Sequence, residues 1–592
     1  MCGIAGIVNF DGGPASREHL EKMNAVSSHR GPDGNGIFCR DNIGIAHCRL
    51  AIIDPETGAQ PLYNDDRTIA LSYNGEVYNY VELRNELAGE FAFKTHSDTE
   101  VVLHAYEKWG MACLERFRGM FAFALYDSNK KALYIARDRA GIKPLFYYMS
   151  AEQFIFSSEL VPILKTSGIK HEISPESLSR FFRYQYVPTP ASIYKDIYKL
   201  EPGCFLEVDV LKGKVTKHRY WDLKLEIFER SEPEWLERLN AVLDDTIRIY
   251  LRSDVPFGVF LSGGVDSSLV TALMAKHLEK PVRTFSIGFK EEAHSELQFA
   301  AEASRVMGTS HYEKIVTPEL AEDILRKLVT HFGEPFADSS AIPTYYVSRE
   351  AAGQVKMVLS GDGGDELFGG YNSYQTTFRD MNAHDMIYHR RRYDAARQAF
   401  DDDSLRQLLS PDIPVAPSVD FKANIAGRNV DPVTLFQAQD FKTYLVDDVL
   451  TKVDRMSMAN SLEVRVPLLD HKIIETAFSL PLPLKIRFNK RNKRICTKYL
   501  LKKSASRFYA ESFLARPKQG FGIPVAEWCR GPFMPLIESE LRNRQNPVFE
   551  WLNFDYVQAM LDQFFSGRDG LAARIWFVFM FDLWRKHVHQ SS

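Results

Sequence analysis

The 592-residue sequence has few of the features that mark secreted or membrane-spanning proteins. Its seven cysteines lie far apart with no C-x-x-C pair, which argues against a zinc site or a disulfide framework and fits a reducing compartment. No apolar run approaches the length of a membrane span, and the N-terminus lacks the basic region of a signal peptide. We therefore expect a cytoplasmic protein with no membrane partner.

An excess of charge of either sign is also missing. The chain has 73 basic and 77 acidic residues, which gives a formal net charge of -4. Proteins whose main partner is nucleic acid usually present a strongly basic surface. The balance gives no reason to propose a nucleic-acid partner, and the length indicates more than one domain.

A glycine- and serine-rich loop follows a short apolar run in the second half of the chain. Residues 257–261 have the pattern of a buried strand, residues 269–274 continue as a helix, and Ser262-Gly263-Gly264-Val265-Asp266-Ser267-Ser268 joins them. Glycines let the backbone approach an anion, and the first turn of a helix favours negative charge. The loop lacks the Gly-Lys-Ser/Thr of a P-loop, and Asp266 lies where a phosphate would bind. We infer Mg²⁺ between Asp266 and a polyphosphate; a plain Gly/Ser turn is the alternative.

A second loop of the same kind, Ser360-Gly361-Asp362-Gly363-Gly364-Asp365-Glu366, follows the apolar run 355–359. Strand and helix patterns alternate between the two loops, which predicts a parallel sheet with helices on both faces and ligands at the carboxyl ends of its strands. Acids alone would repel phosphate. A bound metal ion would remove this repulsion, and we expect Asp365 to join Asp266 as a ligand of Mg²⁺. A solvated acidic turn is the alternative.

At the other end of the chain, Cys2 follows the initiator methionine. Removal of Met1 would leave a cysteine with its thiol and its α-amine on one carbon. An α-amine titrates near about 7.7–8.0 and a thiol near about 8.5, so the amine can take the thiol proton near neutral pH. A cysteine at position 2 is, by itself, more often only a small residue.

Four downstream stretches strengthen the catalytic interpretation: His29-Arg30-Gly31-Pro32-Asp33, Arg49-Leu50-Ala51-Ile52-Ile53-Asp54, Tyr73-Asn74-Gly75-Glu76-Val77 and His96-Ser97-Asp98-Thr99-Glu100. With them the segment resembles the class II glutamine amidotransferases, whose N-terminal cysteine hydrolyses glutamine. The resemblance implies an N-terminal-nucleophile fold, two sheets between helical layers. It also implies a glutamine pocket lined by backbone from Arg49 to Ile53 and from Gly75 to Val77, with these residues: Arg49, Leu50, Ala51, Ile52, Ile53, Gly75, Glu76 and Val77.

The chemistry of these side chains fits glutamine hydrolysis. The Asn74 amide and the Gly75 N–H could receive the oxyanion that thiolate attack creates. Arg49 suits the α-carboxylate of glutamine, and Asp98 suits its α-ammonium. The structural alternatives are a surface ion pair for Arg49, a helix N-cap for Asp98 and a hairpin turn for Asn74-Gly75.

The two glycine-rich loops resemble the N-type ATP pyrophosphatase domain, which activates a carboxylate as its adenylate. The resemblance implies that backbone at Leu261 and Ile287 holds adenine and that Ser360 and Gly361 contact the nucleotide. It assigns pyrophosphate binding to the first loop, with Ser262, Gly263, Gly264, Asp266, Ser267 and Ser268. The stretches 454–470 and 516–522 also match, and in the latter Lys518 would stabilise charge as pyrophosphate leaves.

With both halves present, the chain resembles the glutamine-dependent asparagine synthetase family. The resemblance implies an α/β protein in which an αββα glutaminase domain (1–194) is joined by a linker (195–230) to a parallel-sheet ATP-pyrophosphatase domain with a helical C-terminal part (231–592). The frequent prolines from 184 to 221 place the boundary. The implied substrates are glutamine, ATP and aspartate, with Mg²⁺, and ammonia would pass through an internal channel.

One departure affects the acceptor. The best-known asparagine synthetases have Ser-Gly-Glu-Gly-Ser-Asp-Glu in the second loop, whereas this chain has Asp362 and Gly364. Asp362, the acid expected to handle the amine nucleophile, is one methylene shorter. Two alternatives therefore stay open: amidation of another carboxylate, on a sugar acid or a peptide, and an inactive binding relative. The sequence leaves the oligomeric state open, with a homodimer as one expectation.

Overall fold

The N-terminal part of the chain folds into two antiparallel sheets that lie face to face. The computed structural model describes residues 2–166, 168–291, 295–380, 385–418, 430–489, 494–516 and 520–591. The strands of the N-terminal part are β1 (Gly3–Asn9), β2 (Gly34–Arg40), β3 (Ile43–Arg49), β4 (Leu62–Tyr63), β5 (Ile69–Val77), β6 (Gly119–Asp127), β7 (Ala132–Arg137), β8 (Phe146–Met149), β9 (Gln153–Ser157), β10 (Ile197–Lys199), β11 (Cys204–Asp209) and β12 (Lys214–Arg219).

Side-chain alternation along each strand builds the layers. The first sheet has the order β10-β8-β9-β1-β3-β2 and the second β12-β11-β7-β6-β5-β4. On β1, Ile4 and Val8 pack between the sheets against residues such as Leu133, while Ala5 and Ile7 face the other way. Residues i and i+2 of a strand share a face, so this one strand serves two cores.

Helices cover the outer face of each sheet. Helix α1 packs with α5 on the first sheet, and α2 and α3 pack on the second. This arrangement confirms the expected αββα sandwich. The helices of this part are α1 (Arg17–Val26), α2 (Tyr80–Leu87), α3 (Asp98–Trp109), α4 (Cys113–Arg116), α5 (Leu160–Leu164) and α6 (Pro175–Tyr184).

The structure differs from the expected linker at 195–230. Strand β10 is an edge strand of the first sheet, and β11 and β12 extend the second sheet. The prolines near this segment interrupt helical periodicity, but they do not prevent short edge strands. The sheets thus continue to Arg219, so we refer to residues 2–219 as the first domain and to residues from Glu232 onward as the second.

The second domain is built on a parallel sheet with the order β15-β14-β13-β16-β17. Strands β13 and β16, which precede the two glycine-rich loops, are neighbours. The carboxyl ends of adjacent parallel strands meet at one edge, so the two loops meet there as predicted. The strands are β13 (Phe257–Phe260), β14 (Arg283–Phe289), β15 (Ser310–Val316), β16 (Met357–Leu359) and β17 (Glu463–Arg465), with a separate hairpin of β18 (Arg487–Asn489) and β19 (Arg494–Cys496).

Helices surround this sheet and form the C-terminal part, which confirms the predicted helical region. The last long helix, α25, is buried along most of its length and packs on α10. Among the described helices, none combines the length and apolar character needed to cross a bilayer. The helices are α7 (Glu232–Tyr250), α8 (Val265–His277), α9 (Leu297–Met307), α10 (Pro318–Phe332), α11 (Ala341–Ala352), α12 (Gly364–Phe368), α13 (Asn372–Asp380), α14 (Met386–Arg397), α15 (Asp402–Leu408), α16 (Pro432–Lys442), α17 (Thr451–Met458), α18 (His471–Ser479), α19 (Leu482–Lys485), α20 (Tyr499–Ala505), α21 (Glu511–Leu514), α22 (Val525–Arg530), α23 (Met534–Leu541), α24 (Phe554–Phe565) and α25 (Ala572–His587).

Buried ion pairs join the two domains. Arg118 of the first domain contacts Asp470 at 3.1 Å and Asp245 at 2.7 Å in the second, and the Asp470 side chain is fully buried. Arg30 contacts Asp454 at 2.7 Å, and both side chains are buried. A charge taken out of water is tolerated only when it is paired, so these contacts fix how the domains dock.

We expect Arg118→Met to destabilise the protein by about 3 kcal/mol, because Asp470 would keep a buried charge without its partner. Arg116→Met is the matched control. It removes a pair with Glu86 whose side chains are 41% and 45% exposed, and such a pair contributes under about 1 kcal/mol. Urea unfolding of the full chain, followed by circular dichroism, measures both. Equal destabilisation by the two substitutions would contradict the interpretation.

Candidate active sites

Cys2 lies at the start of β1, with 6% of its surface exposed. Its backbone N–H donates to Asn74 Oδ1 at 2.9 Å, and its carbonyl accepts from Arg30 Nε at 3.1 Å. Asn74 is fully buried on β5, and its Nδ2 has no hydrogen-bond partner among the described residues. A buried amide donor without a partner costs free energy unless a ligand uses it. Asn74 therefore offers a donor beside the cysteine.

The protonation of Cys2 depends mainly on burial. Burial raises the pKa of the Cys2 thiol, and this outweighs the lowering effects of the amino-terminal charge, the Leu50 backbone hydrogen bond and Arg49. The resting thiol is thus neutral near pH 7. Nucleophilic attack then requires a base that takes the proton as the reaction proceeds.

Arg49 ends β3 and turns its guanidinium to the loop that follows. It donates to the carbonyls of Asp54 at 2.6 Å, Pro55 at 3.0 Å and Ile53 at 3.3 Å. Gly58 makes this approach possible, since a Cβ there would lie 2.4 Å from Arg49 Nη2. Arg49 thus has hydrogen bonds of its own rather than a surface ion pair, and its positive charge lowers the pKa of the Cys2 thiol.

Asp98 is the first residue of α3, and its carboxylate points inward. It accepts from Tyr73 OH at 2.9 Å and from the Val77 N–H at 3.0 Å, while Ser97 caps the helix. The N-cap alternative for Asp98 is therefore wrong. Burial raises the pKa of Asp98, and burial together with Asp98 holds the pKa of Glu76 well above its usual range. Two buried carboxyl groups thus repel each other electrostatically, a setting that favours a positively charged ligand.

The backbone segments expected to line the glutamine pocket already carry some contacts. The Ala51 N–H donates to Asp33 at 2.9 Å, and the Ile52 carbonyl accepts from the Asp254 N–H at 3.1 Å. Gly75 lies on β5 opposite Phe121 of β6, so the Asn74-Gly75 pair is part of a strand and the hairpin-turn alternative is wrong.

The second site is a cavity of about 450 Å³ at the carboxyl edge of the parallel sheet. The two glycine-rich loops form its floor. Ser268 of the predicted set is the exception: it is fully buried beneath the cavity, and its carbonyl accepts from Tyr509 OH at 3.0 Å. The predicted residues that line the cavity are Leu261, Ser262, Gly263, Gly264, Asp266, Ser267, Ile287, Ser360, Gly361, Asp362 and Asp365.

Helix α8 starts at the edge of this cavity. Its N-cap is Gly264, which supplies no side-chain hydrogen bond to the first turn. The N–H groups there keep the partial positive charge of a helix N-terminus. Gly361 packs so closely on this turn that a Cβ would lie 2.6 Å from the Ser267 nitrogen. The two loops are thereby locked together around an anion-binding helix end.

Asp266 and Asp365 converge on one cation. Lys498 Nζ lies 2.5 Å from Asp266 Oδ2 and 2.7 Å from Asp365 Oδ1. Burial opposes its charge, yet the two carboxylates hold the pKa of Lys498 above its usual range. The pair can thus share one positive charge, as the Mg²⁺ prediction requires. Oxygen donors of this kind suit Mg²⁺, which usually takes one or two protein carboxylates plus phosphates and water; in the described ranges no three potential ligands cluster to hold a metal alone.

The structure shows what surrounds Gly364 and Asp362, the two departures in the second loop. A Cβ at Gly364 would lie 2.5 Å from Asp266 Cγ, so glycine allows this carboxylate to approach α12. Asp362 lines the cavity and accepts from Ser360 Oγ at 2.6 Å. Lys452 also lines the cavity, where it contacts Asp338 at 2.6 Å and Ser340 at 2.7 Å.

The predicted catalytic Lys518 lies outside the described residues. From the same motif the structure describes Arg516, whose Nη2 donates to the Gly263 carbonyl at 2.6 Å. Its guanidinium lies 3.9 Å from the ring centroids of both Phe299 and Phe513. The motif therefore reaches the first glycine-rich loop.

Comparison with known families decides the classification. A family model described as asparagine synthase matches residues 238–586, and one described as a glutamine amidotransferase domain matches residues 1–221. The first match covers more than half of the chain. The chain belongs to the asparagine synthase family. Members of this family use ATP as a substrate.

Several relatives match this chain over nearly its whole length. "Asparagine synthetase [glutamine-hydrolyzing] 1" of Bacillus subtilis is 33% identical over 99% of this chain and 96% of its own. "Putative asparagine synthetase [glutamine-hydrolyzing]" of Mycobacterium tuberculosis is 32% identical over 99% and 97%. "Amidase chry2" of Gibberella zeae is 27% identical over 97% and 96%.

Sequence reasoning missed several residues of these sites. Lys498 gave no signal, because a lone lysine before a helical pattern is normally a solvated residue. Arg30 and Arg465 were inside recognised motifs, yet no role followed from the residues. Asp454 was likewise only part of a motif, and its contact with Arg30 joins positions 424 apart.

In this asparagine synthase family member we expect Gly364→Ala to weaken ATP binding about tenfold, because the new Cβ must displace the Asp266 carboxylate; tenfold corresponds to about 1.4 kcal/mol. Gly353→Ala is the matched control, since a Cβ there would meet nothing closer than 3.5 Å and its φ is -69°. Calorimetric titration of both variants with ATP in Mg²⁺ buffer measures the effect. Unchanged affinity in Gly364→Ala would refute the role of the close approach.

Proposed function

We propose that this chain is a glutamine-hydrolysing asparagine synthetase. It releases ammonia from glutamine at Cys2 and uses it to amidate a carboxylate, the aspartate side chain, that ATP has activated as its adenylate. The observation that carries the proposal is the contact between the two domains at Cys2. Arg30 donates to the Cys2 carbonyl at 3.1 Å and pairs with Asp454 of the second domain at 2.7 Å. Ammonia released there forms beside the synthetase domain.

The first half-reaction uses the groups around Cys2. The thiol attacks the amide carbon of glutamine, the α-amine freed by removal of Met1 takes the proton, and the same amine returns it to the departing ammonia. Asn74 Nδ2, with the Gly75 N–H, stabilises the oxyanion, and water hydrolyses the thioester to glutamate. Arg49 holds the α-carboxylate of glutamine, and Asp98 with Glu76 receives its α-ammonium.

The second half-reaction uses the cavity at the carboxyl edge of the parallel sheet. The first turn of α8 and the Ser262 loop bind pyrophosphate oxygens, and Lys498 and Lys518 stabilise the charge on the leaving group. Asp266 and Asp365 would hold Mg²⁺, which would neutralise phosphate charge. The acceptor carboxylate attacks the α-phosphorus and pyrophosphate leaves. Ammonia then displaces AMP, and Asp362 takes the proton that the new amide loses.

A second candidate acceptor is a carboxylate other than that of aspartate. Asp362 is one methylene shorter than glutamate, and its carboxylate is held toward Ser360, so the acid that meets the amine lies deeper in the loop. A relative named an amidase, 27% identical to this chain, is consistent with variety among acceptors. An inactive binding relative has the least support, since Cys2, Asn74, Asp98, Asp266 and Asp365 are all present at the sites.

The proposed partners are the small molecules glutamine, ATP and the acceptor carboxylate. We propose that the enzyme acts in the cytoplasm. A homodimer stays a prediction, which light scattering of the purified chain would check.

We expect the purified enzyme to form asparagine, AMP and pyrophosphate in equal amounts from glutamine, aspartate, ATP and Mg²⁺. Cys2→Ala should abolish the reaction with glutamine and leave the reaction with ammonium chloride within about twofold, because Cys2 only releases the nitrogen. Chromatography of amino acids and nucleotides measures both. Pyrophosphate release that aspartate does not stimulate would exclude asparagine synthesis and keep a different acceptor; glutaminase activity that survives Cys2→Ala would exclude the mechanism.

We expect Lys498→Met to lower the rate of ATP-dependent amidation about a hundredfold, the scale of one lost electrostatic stabiliser. It should also lower the Mg²⁺ concentration for half-maximal activity, because the ammonium no longer competes for Asp266 and Asp365. Glutaminase activity should not change. Lys503→Met on α20, the helix that Lys498 precedes, is the control, since this lysine is half exposed and pairs with Glu232. A higher Mg²⁺ requirement in Lys498→Met would contradict the shared position.

A further inference from the structure

Two side chains of the second domain reach the wall of the proposed glutamine pocket. They are Glu463 and Arg465 on β17, the edge strand of the parallel sheet, and both side chains are fully buried. Arg465 Nη2 lies 3.4 Å from Glu76 Oε1 of the first domain, and Arg465 Nε donates to Glu463 Oε1 at 2.6 Å. The first domain alone therefore does not complete this wall.

Arg465 is held firmly in its position. Its Nη1 donates to the carbonyls of Tyr250 at 2.8 Å and Arg252 at 2.6 Å, and its guanidinium lies 5.2 Å from the ring centroid of Tyr78. Five donors in a planar fork allow one arginine to bind carboxylates and carbonyls at once, which a lysine cannot do. The guanidinium is thus fixed by the second domain before it meets Glu76.

The wall of the proposed glutamine pocket has more buried carboxyl groups than guanidinium groups. Glu76, Asp98 and Glu463 are buried carboxyl groups, and the Arg465 guanidinium contacts Glu76 and Glu463. Burial opposes the ionisation of Glu463, yet the amino-terminal charge and Arg465 lower its pKa to about 2. Arg465 also lowers the pKa of Glu76 and of Asp98, both of which burial raises. Loss of Arg465 would therefore raise both pKa values further and make ionisation of the pair, which an ammonium ligand requires, more costly.

We propose that Arg465 is a positioning residue of the glutaminase site: the synthetase domain supplies through β17 the fixed guanidinium that orients Glu76 and keeps the Glu76–Asp98 pair able to bind the α-ammonium of glutamine. This inference rests on the proposed function. It makes glutamine binding depend on a residue that touches neither glutamine nor Cys2. The groups that face the pair from the packed elements are the amino terminus, Tyr73, Tyr78, Tyr80, Glu463 and Arg465.

The test compares glutamine hydrolysis by the full-length wild type and by Arg465→Met across pH 5.5–9. We expect the KM for glutamine to rise at least tenfold, because Glu76 loses its partner. The acid limb of kcat/KM should move to higher pH, since loss of a positive charge raises the pKa of carboxyl groups that must be ionised. Amide formation from ammonium chloride should stay within threefold of wild type, which shows that the second domain is folded and active.

Arg118→Met is the matched control, because it also cuts a buried ion pair between the domains, at Asp470. It should leave the KM for glutamine and the acid limb as in wild type. Arg465→Lys keeps the charge but not the fork, so the KM should rise by a smaller factor with the acid limb in place. If Arg465→Met does not fold, Arg465→Lys decides the question through its KM.

A double-mutant cycle with Glu76→Gln locates the effect. Arg465→Lys should raise the KM less in the Glu76→Gln background than in wild type, since the orienting contact is already gone. Equal KM values and acid limbs in wild type and Arg465→Met would overturn the inference, as would equal changes in Arg118→Met. Absence of glutaminase activity in the wild type itself would instead overturn the proposed function.

Discussion

The rest of the structure depends on charged side chains buried between the two domains. Arg30 is fully buried, and its guanidinium is shared by Glu159 of the first domain and Asp454 of the second. Removing one partner of such a group typically costs about 3–5 kcal/mol, because the other charge stays out of water. Apolar contacts alone would allow the two domains to dock in more than one relative position. Paired charges accept one docking geometry, and in this protein that geometry also holds the Cys2 carbonyl.

One edge strand connects the two sites through the backbone. The Ser360 N–H donates to the Arg465 carbonyl at 2.9 Å, so the second glycine-rich loop begins beside the residue whose side chain contacts Glu76. Strand β17 pairs with β16, which ends in that loop. A parallel sheet thus places the loop proposed to bind ATP at the carboxyl end of one strand and the residue proposed to shape the glutamine pocket on its neighbour. The separation of the two chemistries is set by strand spacing rather than by a flexible tether.

The fold was largely predictable because its signals are local. The order of apolar run, glycine-rich loop and helix predicted the parallel sheet, and the motifs of the first domain implied its two sheets through the family resemblance. The expected linker at 195–230 failed for a physical reason. Strand β10 is an edge strand of only three residues and β12 is a mostly polar edge strand, so neither carries the apolar alternation that marks a half-buried strand.

The sites were predictable where a residue's chemistry and its motif coincide, as for Cys2 and Asp266. They were not predictable where a role arises from docking. The roles of Asp454, Arg465 and Lys498 come from contacts with residues hundreds of positions away along the chain, such as Asp266 for Lys498. No window along the chain contains both members of such a pair. The sequence therefore identifies which atoms can react, and the packing of the domains identifies which charges control them.

The two departures in the second loop are best understood together. Gly364 removes a side chain that would press on Asp266, and the Asp266 carboxylate is within 2.6 Å of the position of a Cβ there. Asp362 shortens the neighbouring acid and bonds back to Ser360. The glycine leaves room for Asp266 beside α12, and Asp362 keeps a carboxylate on the cavity wall. A loop with these two residues keeps the carboxylates that the proposed function uses and differs beside the proposed acceptor, so the two departures bear on the choice of acceptor rather than on the type of reaction proposed.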